Sequence, residues 1–177
     1  MEQAIRLKME QLLAKIPEYA KDLKLNLQTV VKQPDLTEQQ TWGTVVATAL
    51  ASRNPIVISA LLAEAATHLQ TVATEAAKSA AAVMGMNNIF YRFQHLSEHE
   101  KYSTLPARLR MNVLRTHGSD PVDFELWCLA VSAVNGCGKC IVAHDRVVRE
   151  KGLTEESVIA AVRIAAVVCA ISALPLE

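Results

Sequence analysis

The sequence predicts an all-α protein, and three observations carry that prediction. Apolar residues recur at helical spacing along most of the 177 residues, and no segment alternates apolar with polar residues as a half-buried strand does. Alanine, valine and leucine dominate while aromatic residues are only 5% of the chain, a composition suited to close-packed helices rather than to cross-strand pairs. Capping and breaking residues also divide the periodic stretches into segments of helix length.

Taken in order, Ile5, Met9, Leu12, Leu13 and Ile16 mark one helical face, and Tyr19, Leu23, Leu27, Val30 and Val31 mark another after Pro17. Pro34-Asp35 makes a turn. Thr37 with Gln40 three residues on is a capping box, which starts a helix running to about Ser52. Asn54-Pro55 starts the next, to about Leu69, and another covers Thr74 to about Met84, where Gly85 interrupts before a short aromatic segment, Ile89 to Phe93. Residues 95–107 read as surface loop and Leu109 to Leu114 as a short apolar piece. Asp120 caps a helix with Pro121 at its first position, running to about Val134. After Asn135-Gly136 a helix from Cys137 to Lys151 is stopped by Gly152, and Thr154 opens the last one, to Leu174.

Composition excludes several function classes. With 51% hydrophobic and 20% charged residues the chain is not disordered, and at this length it buries enough surface to fold without disulfides or a structural metal. Eighteen Lys and Arg balance eighteen Asp and Glu, so there is no basic field for nucleic acid. Val158 to Leu174 approaches the length of a membrane span, but Arg163 lies inside it and Glu155-Glu156 precede it, so it reads as a buried helix. Met1 to Glu10 lacks the apolar core of a secretory signal, and a cytoplasmic location is expected.

The whole chain, residues 1–177, reads as one domain containing a weak internal repeat. Laying Trp42 on Trp127, an offset of 85, brings Gln40 onto Glu125, Ser52 onto Cys137, Pro55 onto Cys140 and Ser59 onto His144. Two related halves, about 37–94 and 121–174, would each be a helix, a tight break and two further helices, preceded by the N-terminal helical pair. Only the second half carries reactive side chains at its break.

Those side chains are Cys137-Gly138-Lys139-Cys140 in the first turn of a helix. Cysteines three apart share a helical face and can meet in a disulfide, and the free amides of a helix start favour a thiolate. His144 stands one turn beyond Cys140 on the same face, within reach as a proton acceptor or donor. Glu125, in the apolar context Phe124-Glu125-Leu126-Trp127, needs a partner there, and His144 meets that need if the two helices pack antiparallel. The helix dipole favours Cys137 as the more acidic thiol while His144 favours Cys140, so residue chemistry alone leaves the order of the two open. A zinc site built on the same cysteines and His144 lacks a fourth ligand, because Cys128 and Cys169 form no second CxxC. Both of these cysteines read as core, and Met84 and Met86 as packing. The helical flanks of the motif exclude a thioredoxin fold.

Phe124-Glu125-Leu126-Trp127, Ala133-Val134-Asn135-Gly136-Cys137-Gly138-Lys139-Cys140 and Ala143-His144 together resemble the AhpD-type alkyl hydroperoxidases of the carboxymuconolactone decarboxylase-like superfamily. The resemblance extends to Pro17 to Asp22, Gln40 to Gly43, Ala82 to Asn88, including Met84-Gly85-Met86-Asn87-Asn88, and Phe90-Tyr91-Arg92, and so covers most of the chain. It implies an internally duplicated helical fold and a symmetric homo-oligomer, commonly a trimer. It also implies reduction of small organic hydroperoxides and regeneration of an AhpC-type peroxiredoxin, with electrons from reduced lipoyl groups of a lipoylated acyltransferase subunit and no bound cofactor or metal. By the same resemblance Cys140 reacts with peroxide through a sulfenic acid, Cys137 is its disulfide partner and proton donor, and Glu125 with His144 is the proton relay. Gly138-Lys139 departs from the Ser-His that the best-known members carry between their cysteines. A lysine cannot shuttle a proton as imidazole does, but its positive charge favours thiolate. The alternative readings are a non-catalytic zinc-stabilised helical interaction module and, within the superfamily, a lactone decarboxylase, a reaction with no evident need for CxxC.

Overall fold

Capping side chains set the helix boundaries largely where the sequence puts them. The computed structural model describes residues 9–176, and among them the regular structure is helical: α1 (Met9–Lys15), α2 (Lys21–Val30), α3 (Glu38–Ser52), α4 (Pro55–Ala65), α5 (Thr71–Leu96), α6 (Glu100–Thr104), α7 (Val113–Thr116), α8 (Pro121–Val134), α9 (Gly138–Glu150) and α10 (Glu155–Ser172). Thr37 and Gln40 close the capping box at α3. Asn54 and Asp120 accept the first free amides of α4 and α8 ahead of Pro55 and Pro121, and Thr154 does the same for α10.

Four expectations need correction. Gly85 does not interrupt: α5 runs unbroken for 26 residues and absorbs the aromatic segment 89–93, because packing of its Ala-rich face outweighs the modest cost of one glycine. Residues 95–107 are not simply loop, since α5 continues to Leu96 and α6 follows. The piece from Leu109 to Leu114 becomes helical only from Val113. Tyr19, expected on the apolar face of the second helix, lies in a 3-10 turn, Glu18–Ala20, and is exposed. Ile5 and most of the N-terminal segment lie outside the described residues.

Helices α3 and α8 are the central pair. Gln40 to Ala49 of α3 and Leu126 to Ser132 of α8 are buried on every side, as core helices are, with the hydroxyls of Thr44, Thr48 and Ser132 bonded back to their own helix carbonyls. Each packs against the other and against both α5 and α10. Flanking helices sit on their own partners, α4 on α3 and α9 on α8, while α5 touches α9 and α10 touches α4. Exchanging the triplet α3-α4-α5 with α8-α9-α10 thus converts each of these packing pairs into another of the same set. Among the described residues, no helix is long and apolar enough to cross a membrane.

The central crossing depends on a close approach. A Cβ on Gly43 would stand 2.2 Å from Cε2 and Cζ2 of Trp127, so the indole lies directly on the α3 backbone. Trp127 is fully buried, and its Nε1 donates to the Gln40 carbonyl at 3.3 Å. One turn earlier on α8, the buried Asp123 carboxylate accepts from Gln40 Nε2 at 2.8 Å and from Gln39 Nε2 at 2.7 Å. The Asp123 carboxylate thereby has both oxygens satisfied across the same crossing.

Two glycines in this fold predict opposite outcomes for one substitution. Gly43→Ala drives a methyl into an immovable indole and should lower stability by about 1–3 kcal/mol. Gly85, whose added Cβ would meet nothing within 4 Å, lies in a helix interior, so Gly85→Ala should raise stability by about 0.5–1 kcal/mol. Denaturant midpoints of the two variants, measured against the parent at constant m-value, check both signs.

Candidate functional site

The site begins where α8 ends. Gly136 takes a positive φ of 66°, its amide donates to the Ala133 carbonyl, and the Cys137 amide donates to the Ser132 carbonyl. This is the Schellman arrangement, which needs a residue free of Cβ strain at that point and turns the chain abruptly. The turn delivers Cys137 to the N-cap of α9, where its sulfur accepts the Cys140 amide at 3.3 Å, the position usually held by Ser, Thr or Asp. Cys137 and Cys140, with Cα atoms 5.3 Å apart, are joined by a disulfide.

Burial distinguishes the two sulfurs' residues. Cys137 is fully buried, whereas Cys140, 6% exposed, lines a cavity of about 230 Å3. Its other walls are Met84, Asn87 and Tyr91 of α5, Met111 and Leu114 near α7, and Lys139, Ala143 and His144 of α9. His144 Nδ1 lies 2.6 Å from Glu125 Oε2, and both side chains are largely buried, so the packing of α9 on α8 brings the expected pair together. A carboxylate at Nδ1 leaves Nε2 as the ring nitrogen turned elsewhere, and Nε2 lies 3.3 Å from the Met84 sulfur. Lys139 projects over the Tyr91 ring, its Nζ 5.5 Å from the centroid, a cation–π contact at the mouth of the cavity.

A polar layer holds these walls. Asn88 Nδ2 donates to Ser132 Oγ at 2.9 Å, Asn88 Oδ1 accepts from Asn135 Nδ2 at 2.9 Å, and Arg92 donates to the Asn135 carbonyl. The turn that carries Cys137 is thus pinned from α5. Near Glu125, His117 stacks on Phe124 with centroids 3.9 Å apart. Burial pushes the His117 pKa below its ordinary value, against the raising pull of the Glu125 and Asp120 carboxylates.

Met84 packs in the core as expected, and its sulfur in addition meets His144. Asn87, Asn88 and Tyr91 entered the sequence reading only through resemblance. Met84, Asn87 or Asn88, and Tyr91 are spaced three or four apart, one face of a helix, and that signal is hidden when Gly85 is read as a break. Of the cysteines expected in the core, Cys128 is buried and burial raises its thiol pKa well above the usual range, but Cys169 is only half-buried. For the zinc reading, no group of three or more His, Cys, Asp or Glu among the described residues has the geometry to hold a metal ion.

A model of the carboxymuconolactone decarboxylase family matches residues 100–175. The chain is 61% identical over 168 residues to the alkyl hydroperoxide reductase AhpD of Solibacter usitatus, covering 95% of each protein. It is 62% identical over 160 residues to the protein of that name from Acidobacterium capsulatum, covering 90% of this chain and 87% of the relative. With the Streptomyces coelicolor protein of the same name it shares 55% identity over 163 residues, 92% of both.

Unequal burial of the four cysteines sets the outcome of a thiol titration. The native oxidised protein should show one reactive thiol, Cys169, and reduction should add Cys137 and Cys140, while Cys128 reacts only after denaturation. Mass spectrometry of the alkylated protein assigns each site, and metal analysis of the same sample should find no stoichiometric zinc.

Proposed function

The chain belongs to the carboxymuconolactone decarboxylase family, among its AhpD-type alkyl hydroperoxide reductases, and from that premise we propose a catalytic cycle for its own residues. The observation that carries the reading is the division between the cysteines: Cys140 on the cavity wall, Cys137 buried behind it, and the Glu125–His144 pair one turn along.

In the reduced protein Cys140 loses its proton to His144, whose Nδ1 is held by Glu125, and the thiolate attacks the terminal oxygen of a hydroperoxide in the cavity. An S–O bond forms as the O–O bond breaks, the alkoxide takes a proton from the imidazolium and leaves as alcohol, and Cys140 becomes a sulfenic acid. Cys137, as thiolate, then attacks the Cys140 sulfur, and the hydroxyl departs as water with the proton Cys137 gave up. That step leaves the two sulfurs joined as a Cys137–Cys140 disulfide, the bond these positions allow. Lys139, between the two cysteines in sequence, adds positive charge that favours thiolate in the reduced state. Its contact with Tyr91 keeps that charge at the cavity mouth.

The disulfide is returned to dithiol by the reduced lipoyl group of a lipoylated acyltransferase subunit, and the dithiol in turn reduces the disulfide of an AhpC-type peroxiredoxin. The whole takes place in the cytoplasm with no resident cofactor. We read the two helical triplets as copies of one unit, and the protein as a homo-oligomer, commonly a trimer in this family. Ile89, Phe93 and Leu96, exposed along one stripe of α5, support assembly.

An NADH-coupled assay with dihydrolipoamide as donor tests this function, with alkyl hydroperoxide and oxidised peroxiredoxin supplied separately. Turnover is expected with each, and no turnover with either acceptor overturns the reading. Within it, Cys140→Ser should abolish peroxide turnover and Cys137→Ser should leave a sulfenic acid that dimedone traps on Cys140. Label on Cys137 of an active Cys140→Ser protein reverses the assignment.

The carboxylate–imidazole pair should behave as a unit. His144→Gln and Glu125→Gln are each expected to cut kcat/KM by roughly 10²–10⁴, and the double variant to be little worse than either. Losses that multiply in the double variant would separate their roles.

A further inference from the structure

One buried carboxamide, that of Asn88 on α5, reaches both ends of the turn that carries Cys137. Its Nδ2 donates to Ser132 Oγ and its Oδ1 accepts from Asn135 Nδ2, each at 2.9 Å. Ser132 and Asn135 bracket the reversal that ends α8: the Ser132 carbonyl accepts the Cys137 amide, and Asn135 directly precedes Gly136 with its positive φ. One helical turn beyond Asn88, Arg92 donates to the Asn135 carbonyl. A neighbouring helix thus grips the chain just before Cys137 at three groups. None of them is a sulfur of the reactive pair, so the grip can persist when the disulfide opens.

Each cycle opens the Cys137–Cys140 bond and closes it again. In the closing step the two thiols lose two protons and two electrons to the exchange partner as the S–S bond forms. How strongly closure is favoured depends on how far the dithiol protein relaxes, because freedom gained on reduction has to be surrendered on oxidation. Cys140 lies within the first turn of α9, whereas Cys137 is its N-cap, with a place set by the turn from α8. Resting on the dithiol–disulfide cycle above, we infer that Asn88 is a positioning residue that keeps this turn in its disulfide-forming shape in the dithiol too, and so makes the pair harder to reduce. It transfers no proton or electron. Without the clamp the disulfide itself still restrains the turn, while the dithiol is free to relax, so loss of the clamp favours the dithiol.

A contact that only stabilises the fold helps both redox forms equally and cancels from the reduction potential, whereas a contact that limits the dithiol does not. The potential is read from the fraction of disulfide at equilibrium with mixtures of reduced and oxidised dithiothreitol, in the parent, Asn88→Leu, Asn135→Ala and the double variant. Freeing the backbone of about one residue in the dithiol corresponds to roughly tenfold, so each single variant should raise the potential by about 30 mV. The double variant should shift little more than either, since both substitutions break the same bond. Asn135 is half-buried in a turn, and its truncation reports on the clamp even if Asn88→Leu does not fold. A potential at or below the parent's in either folded single variant, or shifts that add in the double variant, overturns the role of Asn88 alone. A parent pair that dithiothreitol leaves oxidised in the folded protein overturns the dithiol–disulfide cycle itself.

Discussion

The geometry of the reactive centre depends on the contact between Gly43 and Trp127. Two helices that are buried on all sides settle at a distance decided by their smallest facing residues, and here an indole lies on a glycine backbone. Asp123, one turn before Trp127, ties α8 to Gln39 and Gln40 of α3. Direction along α8 is therefore fixed on one side by Asp123 and Trp127, and Glu125, between them in sequence, is turned to the other side, toward α9. The carboxylate that meets His144 owes its place to contacts it does not itself make.

This explains why the contacts of the cysteine motif could be read from sequence more readily than its surroundings. A CxxC at a helix start, with a histidine four residues on, is a local arrangement governed by helical spacing, and the disulfide and the helix-sharing histidine are where that spacing puts them. The Glu125–His144 contact was inferable because α8 and α9 are joined by a tight turn and must pack on each other. Cavity walls from α5 and the segment around α7 are a different matter, since Met111 and Leu114 reach the site only through tertiary packing. Gly85 is the most instructive error. Local propensity argues for a break, but the buried alanines of α5 gain enough from α3 and α8 to keep the helix whole, and the face bearing Met84, Asn87 and Tyr91 becomes visible only once it is.

The cysteines show how position outweighs residue type. Cys137 has the favoured electrostatic place, as the N-cap of α9, while Cys140 has access to the cavity. The two advantages thus fall to different sulfurs, a helix terminus that favours thiolate for one and an open approach for the other. Cys128, in the same protein, is buried in the core, and burial pushes its thiol pKa well above the usual range.

The unbroken α5 has one more implication. A helix of 26 residues is about 39 Å long, and its two faces around the middle serve different neighbours: Met84, Asn87 and Tyr91 look into the cavity, and Ile89, Phe93 and Leu96 lie on the opposite side, open to solvent. Only the thickness of one helix separates the cavity from the outer wall. A change on the outer stripe that rotates or bends this rod displaces the inner residues as well. Outer stripe and inner wall are thus coupled mechanically through a single rod.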